Sequence, residues 1–122
     1  LGAFDRAMLA LVERYGVLRD GYPYNLQMDN ENQTIVFSHG PLVFVFNWHP
    51  SASVPDYRCR VREAGRYELI LSTDEARFGG TERARIGSEH FSEPVAGEEG
   101  AATTVIRIYN TSRTAAVYLR TE

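Results

Sequence analysis

Three histidines, His39, His49 and His90, are the side chains best suited to move a proton or hold a metal near neutral pH. No two of them stand at metal-ligand spacing, and no carboxylate is placed to complete a facial triad. His39 falls in a turn and His49 beside a strand end, so structural or solvent-facing roles are expected. Glycosidase chemistry needs two acids held on a rigid scaffold across a cleft. The acids of this chain gather in turns instead: Asp29, Glu31, Asp56, Asp74, Glu75, Glu98 and Glu99. There is no G-x-S-x-G elbow for a serine nucleophile. Gly79-Gly80 is not followed by a Lys-Ser/Thr pair and reads as a turn that needs positive φ, not as a phosphate cradle. The stripe Arg58, Arg60, Arg62 has the charge to hold an anion, but it reads first as the solvated face of an edge strand. Trp48, Tyr57 and Tyr109 lie near strand ends or loops, where a ring could stack on the flat face of a sugar. Core packing is the stronger expectation for each.

The elements that carry these residues are organised around Leu42 to Pro50. Leu42 to Phe46 are five consecutive large apolar residues. A strand with one wet face would alternate, so this one is expected to be central and covered on both faces. Leu42, Phe44, Phe46 and Trp48 point one way, Val43, Val45 and Asn47 the other. Pro50 ends the strand.

Ahead of it, residues 2 to 15 read as one helix. Phe4, Met8, Leu11, Val12 and Tyr15 recur at helical spacing, and Gly16 suits the closing position. Residues 17–33 read as a linker or irregular arm, extended at Tyr22-Pro23-Tyr24 and turning at Asp29 to Asn32. Short strands are predicted at Thr34 to Ser38, Tyr57 to Arg62, Arg66 to Thr73, Thr103 to Tyr109 and Thr114 to Leu119, with a shorter one at His90-Phe91. His39-Gly40-Pro41 turns the first of them into the central strand as a hairpin. Residues 81 to 101 are polar and carry no strong period. The pattern predicts a mainly β domain, an antiparallel sandwich over residues 34–122 preceded by one N-terminal helix.

The composition, 43% hydrophobic and 24% charged over 122 residues, is that of one ordinary globular domain. No apolar run approaches the roughly 20 residues that cross a bilayer. A net charge of −3 gives no reason to expect nucleic acid or an anionic membrane as partner. Cys59 stands alone, which excludes an internal disulfide and a Cys-rich zinc site, and the chain reads as cytoplasmic. All 13 basic residues are arginine.

Several segments together carry a resemblance. Phe46-Asn47-Trp48-His49-Pro50 is similar to the F-N-F-H-P segment in the C-terminal domain of 1,4-α-glucan (glycogen or starch) branching enzymes, members of the α-amylase (glycoside hydrolase 13) superfamily. Asp56-Tyr57-Arg58 matches the D-Y-R that follows. Ser72-Thr73-Asp74 with Phe78-Gly79-Gly80 is similar to the family's D-S-D…FGG run, and Phe91-Ser92-Glu93-Pro94 to its F-x-E-P. Ser112-Arg113-Thr114-Ala115 with Val117-Tyr118 resembles the closing S-R-T-A-x-V-Y. Phe4 to Met8 and Glu13 to Gly16 resemble the last helix of the catalytic barrel. Trp48 and Cys59-Arg60 depart from the pattern.

The resemblance implies a non-catalytic C-terminal β-sandwich. The family's nucleophile, general acid/base and transition-state carboxylate all lie on a (β/α)₈ barrel that matches nothing here. It implies no metal or organic cofactor. The implied partner is that barrel; the alternative is an accessory module holding α-glucan on surface aromatics. A helix parted from its barrel must cover its apolar stripe by folding back on the sandwich, by pairing with a second copy, or not at all. Self-association of a homodimer through Phe4, Met8, Leu11, Val12 and Tyr15 is the expectation among these.

Overall fold

A computed structural model of the chain describes residues 2–14, 24–49, 53–75, 83–96 and 102–121. Among the described residues one helix, α1 (Gly2–Arg14), precedes nine strands: β1 (Tyr24–Asp29), β2 (Thr34–His39), β3 (Leu42–Asn47), β4 (Val54–Arg60), β5 (Arg66–Ser72), β6 (Glu89–Phe91), β7 (Glu93–Ala96), β8 (Ala102–Asn110) and β9 (Thr114–Arg120). They form two sheets, six-stranded in the order β1-β2-β3-β9-β5-β6 and three-stranded in the order β4-β8-β7. All their pairings are antiparallel. The expected sandwich is present.

β3 is central, paired with β2 on one side and β9 on the other. Both its faces are covered, by two different clusters. Val43 and Val45 point into the sandwich, among Val36, Tyr57, Cys59, Leu69, Ile106, Ile108 and Tyr118. Leu42 and Phe44 point outward and are as deeply buried, because Phe4, Ala7, Met8 and Leu11 of α1 lie on them together with Leu71 and Val117. Phe37 stacks on Phe44 at 4.8 Å and on Phe46 at 5.6 Å, extending this outer layer.

Two expectations are taken up here. Phe4, Met8 and Leu11, expected to pair two copies, pack on the sheet of their own chain. The apolar stripe and the outer face of β3 cover one another within the chain. The side chain of Val12, and Tyr15 entirely, lie outside the described residues, as do Gly16, Tyr22-Pro23, Pro50, Phe78-Gly79-Gly80, Glu98 and Glu99.

The second, an irregular arm over residues 17–33, is corrected: strand β1 occupies much of that stretch. A bulge between Asn25 and Gln27 breaks its alternation. Leu26 joins the inner cluster while Met28, two residues on, stands opposite Ile35 and is exposed. Strand β7 also arises where no period was seen. It is an edge strand beside β8, the place where Pro94 costs no central ladder bond.

Removing residues 1–14 would uncover Leu42, Phe44, Phe46 and Val117 together. In sedimentation the full chain is expected to run as a monomer and the shortened one to self-associate. Phe4→Ala is expected to cost about 3 kcal/mol of unfolding free energy. A full chain that dimerises with α1 ordered would contradict this packing.

Candidate functional site

Several motif residues converge on one end of the sandwich, where β3 finishes, while Phe91 lies at the other, opposite Arg66. Asn47 is 3% exposed, yet it is polar on every side-chain heavy atom beyond Cβ but one. Its Nδ2 donates to Asn110 Oδ1 at 3.2 Å, across to the other sheet, and its Oδ1 accepts the His49 N–H at 2.8 Å. Asn110 Nδ2 donates in turn to Thr34 Oγ1 at 3.0 Å, and that hydroxyl donates to the Asn32 carbonyl. Asn32 closes the β1–β2 turn by donating from its backbone and its side chain to the two oxygens of Asp29.

Asp29 also accepts the Tyr57 hydroxyl at 2.7 Å. Gln27 Nε2 donates to the same Tyr57 oxygen at 2.9 Å, while Gln27 Oε1 accepts the backbone N–H of Arg60. A polar thread therefore runs from β3 through β8, β2 and β1 to β4. It bridges the edge strands β1 and β4 with side chains, where the two sheets share no ladder. Burial opposes ionisation of Asp29, but the hydrogen bonds from Asn32 and Tyr57 outweigh it and hold the carboxyl below its ordinary value of 3.8. Burial and the adjacent Asp29 carboxylate push the Tyr57 phenol up.

A second bracket sits at the same end. Asp74 is 4% exposed and binds Arg83 through both carboxylate oxygens. The guanidinium also donates to the Ser112 carbonyl and hydroxyl, both at 3.0 Å. Ser53 Oγ accepts the Ser112 N–H, and Thr73 Oγ1 accepts the Ala115 N–H. Among the described residues every buried side-chain nitrogen or oxygen has a hydrogen-bond partner.

The aromatic candidates separate. Tyr57, entertained as a sugar platform, is buried and held by Asp29 and Gln27, so its ring is not available. Trp48 and Tyr109, expected in the core, are 58% and 39% exposed. Trp48 stacks on Phe46 at 5.9 Å on the outer side of the six-stranded sheet. Tyr109 alternates with inward Ile108 on β8 and faces out from the other sheet, so the two rings do not share a surface.

His39 ends β2, and His49 follows β3. His90 Nδ1 lies 2.8 Å from the Arg107 carbonyl and Nε2 3.1 Å from Ser88 Oγ. Burial pulls its pKa down against the pull of the Arg107 bond. Among the described residues no three His, Cys, Asp or Glu side chains gather to hold a metal. Arg58 and Arg60 lie exposed on edge strand β4, and Arg58 stands opposite Arg107, which pairs with Glu93 and Asp56. Cys59 is fully buried and its thiol is pushed up to about 12 by that burial, which keeps it inert.

Two antiparallel sheets closed by motif side chains that bind one another define an all-β domain. Residues 24–121 match the family described as alpha amylase, C-terminal all-beta domain, and the chain belongs to it. It is 38% identical over 94 residues to a 1,4-alpha-glucan-branching enzyme of Solanum tuberosum, covering 77% of this chain and 11% of that protein. It is 36% identical over 118 residues to 1,4-alpha-glucan-branching enzyme 2-2, chloroplastic/amyloplastic, of Arabidopsis thaliana, covering 97% and 14%. A 1,4-alpha-glucan-branching enzyme of Felis catus is 36% identical over 110 residues, covering 90% and 16%. The chain thus spans between 11% and 16% of the length of these relatives. No helix among the described residues is long and apolar enough to cross a membrane.

Because the folded state holds Asp29 more acidic than its ordinary 3.8, Asp29 contributes stability that is present above that value. The contribution is lost as pH falls through the depressed folded value. Denaturant titrations between about pH 2 and 6 are expected to show this loss, and to show it flattened in Asp29→Asn. Tyr57→Phe is expected to cost about 2 kcal/mol at neutral pH, since it removes a donor to a charged group.

Arg83→Ala leaves the buried Asp74 carboxylate without its bidentate partner. Its cost is expected to be about 2 kcal/mol, less than for a wholly buried pair because Arg83 is one-third exposed. The double variant Arg83→Ala/Asp74→Asn is expected to recover part of that loss in the same unfolding measurement.

Proposed function

We propose that this chain is the non-catalytic C-terminal domain of a 1,4-alpha-glucan-branching enzyme of glycogen or starch biosynthesis. In this reading it packs on a (β/α)₈ catalytic barrel and stabilises it. The carrying observation is the use made of the motif side chains. Asn47, Tyr57, Thr73, Asp74 and Ser112 are engaged in holding the two sheets and their loops to one another. A residue that must bind and release substrate needs polar atoms turned toward it, whereas these are turned inward.

The parent activity would be cutting an α-1,4 glucan chain and rejoining it through an α-1,6 bond, with the reacting carboxylates supplied by the barrel. Helix α1 would be the barrel's last helix. Its placement on the outer face of the six-stranded sheet supports a rigid junction, since one helix would then belong to both cores. A cytoplasmic site of action is part of this reading, supported by the lone buried Cys59; the Arabidopsis relative, by its name, acts in plastids.

The test has two arms. The 122-residue chain, incubated with amylose and stained with iodine, is expected to leave the absorbance unchanged. A reproducible, concentration-dependent fall would overturn the non-catalytic reading. In the longer gene product that carries this chain, deleting residues 24–121 is expected to abolish branching activity and soluble yield together. Full activity after the deletion would overturn the stabilising role.

A further inference from the structure

We propose that the part of the six-stranded sheet's outer face left open by α1 is a seat for the rest of a longer chain, with Trp48 and Met28 at its centre. The seat rests on the domain reading above and specifies which surface of the sandwich meets the barrel.

Register defines the surface. Met28 stands opposite Ile35, Ile35 opposite Phe46, and Phe46 opposite Ala115, an unbroken apolar row across β1, β2, β3 and β9. Cross-strand partners share a face, and Phe46 and Ala115 pack in the cluster under α1. The row therefore begins inside the helix–sheet interface and runs out of it. Met28, at its end, is 64% exposed, and Trp48, stacked on Phe46 at 5.9 Å, is 58% exposed. A notch of about 180 Å³ lies between them over Ile35, with the exposed amides Asn30 and Gln33 at its rim. An apolar centre of Trp and Met, a pocket for an anchoring side chain and a polar rim are the anatomy of a protein interface.

The seat is formed before anything docks. The Trp48 N–H donates to the Gln33 carbonyl at 2.9 Å, Asn32 is tied to Asp29 twice, and Asp29 is held by Tyr57. Little ordering therefore opposes docking.

Helix α1 identifies the occupant. Phe4, Met8 and Leu11 face the sheet, and at about 100° per residue Leu9 falls on the opposite side of the helix. Leu9 is 62% exposed. In the branching-enzyme reading α1 is the barrel's last helix, so the barrel arrives on the side where Leu9, Trp48 and Met28 all look outward. The chain spans only 11% to 16% of its relatives' length, which leaves a large body to cover this face. The outward side of the three-stranded sheet is charged by contrast, with Arg58, Arg60 and Arg107 around Tyr109. Phe91, on the far edge strand, stands opposite Arg66, which pairs with Glu89.

Hydroxyl-radical footprinting read by mass spectrometry compares the 122-residue chain with the longer gene product that carries it. In the isolated chain Trp48 and Met28 are expected to oxidise readily. In the longer product their rates are expected to fall to that of buried Tyr118, while Tyr109 stays reactive in both. Met28→Lys is expected to leave the unfolding midpoint of the isolated chain unchanged and to lower that of the longer product, where the charge would enter a dry interface. Tyr109→Gln is expected to move neither. If the Met28→Lys product fails to fold, the footprint of the unaltered product decides alone. Trp48 and Met28 that oxidise equally in both proteins, or a Met28→Lys shift of the same size in both, would overturn the proposal. So would protection that appears in the isolated chain as its concentration rises, which would assign the face to a second copy. The deletion assay reports separately on the domain reading: activity lost on deletion, with Trp48 still reactive in the longer product, would keep that reading and remove this seat.

Discussion

A sheet in a two-layer sandwich has one dry face, and β3 has two. That is the constraint on which the rest of the molecule depends. Leu42 and Phe44 are buried as fully as Val43 and Val45, but by different neighbours. The inner face needs only the second sheet. The outer face needs a third layer, and α1 supplies it with Phe4, Met8 and Leu11. Burying a large apolar side chain is worth about 1.5–3 kcal/mol, so helix and sheet hold one another in place. Neither stands easily alone: a helix of 13 residues is marginal in water, and an open apolar sheet face invites association.

The other structural device is polar. Asn47, Asn110, Thr34, Asp29 and Tyr57 are placed where the sheets must be joined at the β1 and β4 edges, without a ladder to join them. Buried polar groups are costly unless every one is satisfied, and a satisfied network permits few alternative pairings. Here each group finds its partner on a different strand. The network therefore fixes which loop meets which, something apolar packing alone leaves loose.

How far this was legible follows from what alternation encodes. A period of two tells which face a residue takes, and it placed Leu42 to Asn47 correctly on both sides of β3. It does not tell how far a covering layer reaches. α1 is about 20 Å long, and it shelters Phe44 but not Trp48, so a residue assigned to the right face proved exposed. β1 was hidden by its bulge. Leu26 and Met28 suggest one face by spacing and take two, and Asn, Gln and Asp are weak strand formers. Tyr57 looked like a ring near a loop. Its burial depends on Gln27 and Asp29, in a strand that the pattern did not show. The family segments were legible as strings, but not as a network, because Asn47 and Asn110 meet only after the chain has folded.

Asn47 and Trp48 are neighbours, and their divergence joins the buried polar network to the outer aromatic series. The pleat turns consecutive side chains to opposite faces. Asn47 goes inward and ties β3 to β8, while Trp48 goes outward and extends the aromatic series beyond α1. The Trp48 backbone is fixed by Gln33, in the same turn that Asp29 and Asn32 hold. The interactions that close the sandwich are thus those that orient the exposed ring. The exposed ring takes its setting from the fold's own closure, and any change that loosens the Asp29–Tyr57 bracket would loosen the β1–β2 turn beside it.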